Sequence, residues 1–269
     1  MKRVETVFVL LTYRNADDLS DFLASTKRNV KNYAVIVVNS FYDENTKMKI
    51  QEIAKGSDCD FINCENKGYG YGNNRGIEFA NIHYKYEYLV VANPDIVIEK
   101  YSTEVLNKIN QGIIAPRIIN KAGKMQNPMV WKKNALANYL VYKGLQKKNK
   151  LSFYIGLLFN KLCRGLFFLV TPSSREYAKI YQGHGSCIIF PHYVLGKLGL
   201  PFDENIFLFA EEGDLAEVAR KKGIPFYYTP QVRIYHKEDG SMQFRDDLNQ
   251  QLVEANIYVY EKHQWKDKQ

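Results

Sequence analysis

The chain has 269 residues, of which 46% are hydrophobic, 14% aromatic and 25% charged, and its formal net charge is +8. This composition excludes wholesale disorder and provides enough apolar side chains for one large or two small packed domains. The basic balance indicates an anionic partner, such as nucleotide phosphates, nucleic acid or a lipid surface.

The first element in the chain is an apolar run of five residues, Val7 to Leu11. It is too short for a signal peptide and lacks a small-residue cleavage site, so it predicts a buried first strand. The chain contains no CxxC pair and no second cysteine pair at metal-ligand spacing. We therefore interpret all four cysteines as reduced thiols of a cytosolic protein: Cys59, Cys64, Cys163 and Cys187.

Strands and helices alternate through the first hundred residues. The apolar runs predict strands over Val4–Leu11, Ala34–Val38, Asp60–Cys64 and Tyr88–Ala92. Helical spacing follows Asp17 and Asp18 and recurs over Glu44–Lys55 and Ile77–Tyr84. Near-continuous apolar strands separated by helices indicate an α/β fold whose parallel sheet is covered on both faces. Ligands of such sheets bind at the carboxyl ends of the strands, where the polar residues are Thr12, Asn39, Asn66 and Asp95.

The stretch "NKGYGYGNNRG", residues 66–76, holds four glycines and three asparagines. A dinucleotide fingerprint is excluded, because the stretch follows the third strand and neither GxGxxG frame is completed. We interpret it as a loop that opens a helix, where the backbone comes close to a ligand and Asn73, Asn74 and Arg75 supply hydrogen-bond donors. A tight turn with a helix N-cap fits the stretch equally well on its own.

A carboxylate follows the fourth strand in "VVANPDIVIE", at Asp95. An enzyme that uses a nucleotide sugar needs such a group to hold Mg²⁺ or Mn²⁺ against a diphosphate, because hard cations prefer oxygen ligands. The structural alternative is a turn or N-cap residue.

A third polar cluster lies late in the chain. "PFDENIFLFAEEGDL" places Glu211, Glu212 and Asp214 at the start of a predicted helix, and His236 follows the strand-like "VRIY". Acids in a first helical turn also serve as helix-dipole partners, and a lone histidine is often structural.

Together these motifs resemble family 2 glycosyltransferases, especially the rhamnosyltransferase-like bacterial enzymes of surface polysaccharide synthesis. "LLTYRN" resembles the family's opening TYN element, "NKGYGYGNNRG" its NxGxGxGxNxG loop, and "NPD" occupies the place of its DxD metal motif. "LPFDENIFLFAEEGDLAEVARKKG" resembles the GxFDExFFxxxEDxDLxxRxxxxG signature, and "IYHKEDGS" the late histidine followed by GS. The resemblance covers about residues 4–120 and 180–245.

The resemblance implies a GT-A fold, which is a Rossmann-like mixed, mostly parallel sheet with helices on both faces. It implies an inverting reaction with a UDP- or dTDP-linked sugar donor, a saccharide or polyprenol-linked acceptor, and Mg²⁺ or Mn²⁺ held by Asp95 and His236. The matched general base is Glu212, with Glu211 and Asp214 as alternatives. The donor-binding positions that it implies are Thr12, Tyr13, Asn39, Asn66, Gly68, Gly70, Asn74, Arg75, Asn93 and Asp95.

Three departures from the family pattern affect this expectation. Asn39 stands where the family often has aspartate, and it can hydrogen-bond a base or ribose without adding charge. Glu211 and Glu212 replace a Glu-Asp pair, and "NPD" lacks the first acid of DxD, so the protein supplies fewer metal ligands.

Inversion needs one base at the acceptor and charge stabilisation at the departing diphosphate, and no second carboxylate as nucleophile.

The middle of the chain is strongly basic. Residues 117–181 contain thirteen basic residues and a single acid, Glu176. The apolar run "LSFYIGLLFNKLCRGLFFLV" has the length of a membrane span, but Lys161 and Arg164 argue against spanning. We expect an interfacial helix on an anionic membrane surface, and a buried core helix is the alternative.

These observations predict a single GT-A domain over residues 1–269. Within it we expect a nucleotide-sugar-binding half at 1–115, a basic helical insertion at 130–180 and an acceptor and catalytic half at 181–245. The expected location is cytoplasmic, peripheral on the inner face of the plasma membrane, with no nucleic-acid partner. Two other classes stay open at this point: a metal-dependent nucleotidyltransferase and a basic RNA-binding protein, for which twenty tyrosines would provide stacking surfaces.

Overall fold

The computed structural model describes residues 1–14, 16–172, 174–238 and 248–266. The strands are β1 (Lys2–Arg3), β2 (Thr6–Thr12), β3 (Tyr33–Ser40), β4 (Asp60–Cys64), β5 (Tyr84–Lys85), β6 (Tyr88–Ala92), β7 (Ile96–Lys100), β8 (Ile113–Asn120), β9 (Ala178–Ile180), β10 (Cys187–Pro191) and β11 (Phe226–His236). The helices are α1 (Asp17–Asn29), α2 (Glu44–Gly56), α3 (Tyr69–His83), α4 (Thr103–Lys108), α5 (Ala135–Gln146), α6 (Lys150–Val170), α7 (His192–Leu198), α8 (Glu211–Lys221) and α9 (Leu248–Lys266).

Nine of the strands form one mixed sheet with the order β4-β3-β2-β6-β10-β8-β11-β7, and β9 pairs with the start of β11. Strands β4, β3, β2 and β6 are parallel neighbours, and β8 and β11 run in the same direction. Strand β10 is inserted antiparallel between β6 and β8. The carboxyl ends of six strands and the start of β10 therefore meet at one edge of the sheet, which we call the C-terminal edge.

Successive residues of a strand point to opposite faces of the sheet. Because the strands are apolar on both faces, helices pack on both of them. Val7 and Val9 of β2 lie in a core with Ile77 of α3, whereas Phe8 and Leu10 pack on the other face with the helices α1 and α2. This mixed, mostly parallel sheet with helices on both faces confirms the predicted architecture.

The glycine-rich stretch is helical, which corrects its interpretation as a loop. Helix α3 begins at Tyr69, eight residues before the predicted start at Ile77. A Cβ atom on Gly72 would lie 2.3 Å from Leu11 Cδ1, and one on Gly76 would lie 2.3 Å from Val9 Cγ1. These two glycines therefore let the helix pack closely on β2, and their low helix propensity hid the helix from the sequence pattern.

The turn before α3 requires glycine for a different reason. Gly68 has a φ of +108°, and a Cβ atom there would lie 2.4 Å from the carbonyl oxygen of Phe207. That oxygen accepts a hydrogen bond of 2.8 Å from the backbone N–H of Tyr69. The tight turn that the sequence left open as an alternative is thus present, and it ties the start of α3 to the segment that precedes α8.

The basic segment contains an antiparallel helical pair, α5 and α6. The two helices are in close contact at Gly144 and Gly156, where a Cβ atom would lie 2.5 Å from Phe153 N and 2.7 Å from Ala137 O, respectively. Within the described ranges α6 is the one helix long and apolar enough to cross a membrane by length and composition, and 11% of that stretch is buried. A narrow stripe, Gly156, Asn160, Arg164 and Phe167, faces the protein, and the remaining apolar side chains of α6 are largely exposed. The alternative of a buried core helix is therefore wrong.

Candidate active site

A cavity of about 1000 Å³ opens at the C-terminal edge of the sheet and extends toward α5, α6 and α9. Eight residues singled out from the sequence line it: Tyr13, Asn66, Gly68, Asn93, Asp95, Glu211, Glu212 and His236. Segments that are distant in the chain thus converge where ligands of open α/β sheets bind.

Six other candidates are not among the residues that line this cavity: Thr12, Asn39, Gly70, Asn74, Arg75 and Asp214. The buried Thr12 hydroxyl donates to the carbonyl of Val38 over 3.2 Å, and Asn39 Nδ2 donates to Asn63 Oδ1 over 2.7 Å. Both contacts stabilise the parallel pairing of β2 and β3 with their neighbours.

The three candidates on α3 pack against the segment around residues 202–204. Asn74 Nδ2 donates to the carbonyl of Phe202 over 2.9 Å, and Arg75 forms an ion pair of 2.6 Å with Glu204. A Cβ atom on Gly70 would lie 3.0 Å from the carbonyl oxygen of Asp203. Gly70, Asn74 and Arg75 thus contact this segment of the protein, and their contacts with a donor stay a prediction.

Asp95 and His236 lie together at the end of β6 and the end of β11. His236 Nε2 is 3.4 Å from Asp95 Oδ1, and both side chains are buried. His236 Nδ1 is 2.7 Å from Gln126 Oε1, a contact that fixes the orientation of the ring. Apart from the contact with His236 Nε2, which is too long or misaligned for a good hydrogen bond, Asp95 Oδ1 has no hydrogen-bond partner among the described residues. A buried carboxylate oxygen without a donor is an appropriate ligand for a hard cation.

His184 lies beside this pair, and no motif in the sequence marked it. Its ring centroid is 5.7 Å from that of His236, and its Nδ1 accepts a hydrogen bond of 3.1 Å from the backbone N–H of Ser186. Burial, aided by the neighbouring His236 and Arg164, lowers the pKa of His184 to about 4. The neutral ring therefore carries its proton on Nε2 and can donate one hydrogen bond.

Glu211 and Glu212 begin α8 and line the same cavity. Glu212 Oε1 accepts a hydrogen bond of 2.9 Å from the backbone N–H of Gly185. Burial raises the pKa of Glu212, and burial together with repulsion from Glu212 raises the pKa of Glu211. A carboxylate whose pKa is raised toward neutrality is suited to general-base catalysis near pH 7.

The backbone that presents these two carboxylates is strained. Phe209 has a φ of 73° and Ala210 a φ of 64°, in the left-handed region that non-glycine residues seldom adopt. Each such residue costs about 1 kcal/mol or more and persists only where the surroundings hold it. The strain lies immediately before Glu211, which is typical of a functional position.

Asp214 is separated from the cavity by its own partners. Its Oδ1 accepts from Lys262 Nζ over 2.5 Å and lies 2.8 Å from His263 Nε2. Asp214 is 2% exposed, so these contacts neutralise a buried charge and hold α9 against α8. The geometry therefore favours Glu212 or Glu211 over Asp214 as the base.

In the described part of the chain, no cluster of three or more His, Cys, Asp or Glu side chains could hold a metal ion. The pair Asp95 and His236 can supply two ligands at most. This fits the departure already seen in "NPD", because a cation bound here would take its other ligands from a diphosphate and water. The Gly240-Ser241 part of the late motif lies outside the described residues.

Comparison with known proteins decides the family. The sequence profile of "Glycosyl transferase family 2" matches residues 7–160, more than half of the chain. The chain belongs to glycosyl transferase family 2. This membership confirms the resemblance seen in the motifs. It is the assignment adopted here over the nucleotidyltransferase and RNA-binding alternatives.

A curated relative, the "Low-salt glycan biosynthesis hexosyltransferase Agl10" of Haloferax volcanii, is 24% identical over 257 residues. The alignment covers 94% of this chain and 71% of the relative. The chain is thus a family 2 glycosyltransferase with a hexosyltransferase relative in glycan biosynthesis.

Two solved structures show the fold. GalNAc-T7, crystallised with UDP, GalNAc and Mn²⁺, has a TM-score of 0.65 at 12% identity and covers 96% of this chain. Staphylococcus aureus TarS has a TM-score of 0.54 at 13% identity and covers 87%. This chain spans 48% of the first protein and 36% of the second. At these identities the likeness shows the GT-A fold alone.

Proposed function

We propose that this family member transfers a hexose or rhamnose, with inversion, from a UDP- or dTDP-linked donor to a hydroxyl of a saccharide acceptor. One observation carries the proposal. Glu212, held by the N–H of Gly185, lines the same cavity as Asp95 and His236. A base and an electrostatic site for a diphosphate in one cavity are the two functions that a single displacement at an anomeric carbon requires.

In this proposal Glu212 takes the proton of the acceptor hydroxyl. Its raised pKa increases its basicity, and the Gly185 N–H keeps one oxygen in place while the other can accept the proton. Glu211, which is 5% exposed, is the second choice because its Oε1 has no hydrogen-bond partner among the described residues.

In this account the donor diphosphate lies at Asp95 and His236, next to the segment 184–186 that also holds Glu212. Asp95 and His236 would hold Mg²⁺ or Mn²⁺, and such a cation neutralises charge on a departing diphosphate. The neutral His184 provides an additional hydrogen-bond donor beside the pair. Four residues at strand ends and at the start of α3 remain as proposed donor contacts: Tyr13, Asn66, Gly68 and Asn93.

Tyr13 is positioned to contact the nucleotide. Its ring packs edge-on against Tyr42 with centroids 5.8 Å apart, and the Arg14 guanidinium lies 4.1 Å from the Tyr42 centroid. An aromatic pair with an associated cation at the end of the first parallel strand provides a surface for a base and charge for a phosphate.

We propose a polyprenol-linked acceptor in surface polysaccharide synthesis and a peripheral location on the inner face of the plasma membrane. The exposed apolar side chains of α6 and the lysines before it support this location. We also propose that residues 1–269 act as one glycosyltransferase domain with the helical insertion at 130–180, because the nine-stranded sheet takes strands from both sides of the insertion.

A donor panel tests the proposed function. The full chain is incubated with UDP- and dTDP-sugars and Mg²⁺ or Mn²⁺, and release of the nucleoside diphosphate is measured without and with saccharide acceptors. We expect one nucleotide sugar to be consumed faster than the others. The same nucleotide sugar should remain the preferred one when acceptor is added. Consumption of no nucleotide sugar under any of these conditions would contradict the proposal.

A further inference from the structure

Part of the cavity lies beyond the proposed donor contacts, between α5, α6 and α9, and we call it the outer cleft. The proposed donor contacts lie instead at strand ends and at the start of α3. With a volume of about 1000 Å³, the cavity is at the upper end of the range for a single small ligand, which leaves the outer cleft for the other substrate. Its polar lining comes from all three helices: Asn138 of α5, Asn160 of α6, and Tyr260, His263 and Gln264 of α9.

His263 is held in the wall of the outer cleft by Asp214. The side chain is 5% exposed, and its Nε2 lies 2.8 Å from Asp214 Oδ1. Because a carboxylate oxygen only accepts hydrogen bonds, Nε2 carries a proton, and in the neutral ring Nδ1 is then free to accept one. His263 Nδ1 has no hydrogen-bond partner among the described residues. Asp214 does not line the cavity, so it acts on the outer cleft by orienting His263.

Asn160 supplies a second atom of the same kind from α6. Its Oδ1 is buried and has no hydrogen-bond partner within the described part of the chain. Buried polar atoms are normally paired, and an oxygen or nitrogen lone pair that lacks a donor is unfavourable. Two such atoms in the walls of one cleft favour a ligand that is rich in hydrogen-bond donors, such as a polyhydroxylated sugar.

The other walls of the outer cleft are aromatic and aliphatic. Tyr142 and Tyr260 both line it, and their rings stack with centroids 4.1 Å apart and an interplanar angle of 11°. Val141 and Leu157 add aliphatic surface. A sugar ring has an apolar C–H face and a rim of hydroxyl groups, so it uses both the apolar and the polar walls.

The outer cleft begins beside the proposed base. A Cβ atom on Gly213, the residue after Glu212, would lie 3.9 Å from Val259 Cγ1. His263 follows Val259 by one helical turn, which is about 6 Å along α9. A saccharide with one hydroxyl at Glu212 therefore passes Val259 and places its next sugar unit at His263.

We propose that the outer cleft binds the second sugar of the acceptor, so that the acceptor is a saccharide of at least two sugars. The inference rests on the proposed function, because it names the acceptor of that reaction. In this arrangement the terminal sugar presents its hydroxyl to Glu212. Hydroxyl groups of the next sugar donate to His263 Nδ1 and Asn160 Oδ1, and these two residues determine which saccharide is used.

Two substitutions remove these hydrogen bonds and keep the surrounding contacts. In His263→Gln the amide nitrogen reaches the place of Nε2 and still donates to Asp214, and no atom replaces Nδ1. Asn160→Ala removes Oδ1 from a half-buried position on α6. Lys161→Ala is the matched control, because Lys161 is exposed, follows Asn160 on the same helix and does not line the cavity. Circular dichroism verifies folding, and Asn160→Ala carries the test if His263→Gln does not fold.

Acceptor kinetics measure the outer cleft directly. The full chain receives its preferred nucleotide sugar and the methyl glycosides of glucose, galactose, mannose and rhamnose, each paired with methyl disaccharides that end in the same sugar. We expect at least one disaccharide to have a KM about tenfold or more below that of its monosaccharide, from the two added hydrogen bonds. His263→Gln and Asn160→Ala should each lower this KM ratio about threefold to tenfold, the effect of one lost hydrogen bond. Lys161→Ala should leave the ratio within about twofold of wild type.

Equal KM values within every pair, or an unchanged KM ratio in the folded variants, would overturn the inference, and so would an equal fall in Lys161→Ala. Nucleotide-sugar consumption by the same preparations, without and with acceptor, separates this failure from failure of the proposed function. Consumption without a preference for any disaccharide rejects the outer cleft alone, and consumption of no nucleotide sugar rejects the proposed function.

Discussion

The backbone N–H of Gly185 donates to Glu212 Oε1 over 2.9 Å, and a Cβ atom at position 185 would lie 2.4 Å from that same oxygen. The backbone of Gly185 therefore orients the Glu212 carboxylate, and the absence of a side chain at position 185 leaves the space that this carboxylate occupies. The contact connects the segment before β10 with the start of α8, so sheet and helix together determine where the proposed base lies.

The variant Gly185→Ala tests this dependence. The methyl group must displace Glu212, and a displacement of about 1 Å costs on the order of 100-fold in rate when a base must reach its proton. We expect a loss of about that size in the sugar-transfer rate, with the donor dissociation constant within about twofold of wild type.

Gly196→Ala is the matched control, because a Cβ atom at Gly196 on α7 meets nothing within 4 Å. It should transfer sugar at the wild-type rate. Equal activity of the two alanine variants would show that the position of Glu212 does not limit the reaction.

Asp95→Ala should abolish the metal-dependent part of donor binding. The change removes the buried oxygen that has no hydrogen-bond partner among the described residues, and His236 alone gives a cation one protein ligand. Calorimetric titration with the nucleoside diphosphate, in Mn²⁺ and then in EDTA, measures the effect. The same Mn²⁺-dependent gain in affinity in wild type and variant would contradict the assignment.

Glu211 makes the stability of the protein depend on pH. Burial raises its pKa in the folded chain, so between its ordinary pKa and the raised value the folded state binds more protons than the unfolded state. The free energy of unfolding must then fall as pH rises through this window, by up to about 1.4 kcal/mol per pH unit, and become level above it.

Glu211→Gln removes this contribution and should flatten the fall, leaving the variant more stable than wild type at neutral pH and above. Urea denaturation at a series of pH values from 4 to 9 checks the difference. Parallel stability curves for the two proteins would mean that Glu211 is not held in a buried, proton-binding environment.

The helical pair should bind anionic membranes through charge as well as apolar contact. Lys147, Lys148 and Lys150 are exposed next to the exposed apolar surface of α6. Their replacement by glutamine should weaken co-sedimentation with phosphatidylglycerol vesicles by about tenfold or more, at about 1 kcal/mol per basic residue. High salt should weaken wild-type binding in the same way.

Glutamine at Lys27, Arg28 and Lys31 is the matched control, because these exposed residues lie outside the insertion and the change removes the same charge. Vesicle binding that resists salt, or that both triple variants reduce equally, would argue against docking through the helical pair.

Local sequence was sufficient for the strands that are bounded by turn residues. Strands β4 and β6 have the predicted bounds; β6 is an apolar run that ends at Asn-Pro, and β4 ends where the polar stretch before the glycines begins. The start of α3 was missed by eight residues, since its glycines are poor helix formers, and the close contacts of Gly72 with Leu11 and Gly76 with Val9 that require them are long-range.

Site residues were predicted where a motif marks them. They were missed where a long-range strand pairing places them in the cavity. Asp95, Glu212 and His236 were recognised from motifs, and the structure places all three in one cavity. His184 and Gly185 precede β10, whose insertion between β6 and β8 is a long-range pairing that no local pattern specifies. Asn74 satisfies the motif but contacts Phe202, because helix packing and ligand binding both select small and amide side chains. The catalytic and binding roles themselves remain predictions.

The most direct measurement is the single-turnover transfer rate of Glu212→Gln, with donor affinity determined on the same preparation. Glutamine preserves the size of the side chain and can still accept the hydrogen bond from Gly185, but it cannot take a proton. The account predicts a loss of roughly 100- to 10,000-fold in the transfer rate with donor affinity nearly unchanged. A folded, donor-binding variant that transfers sugar at a near wild-type rate would contradict it and move the role to Glu211.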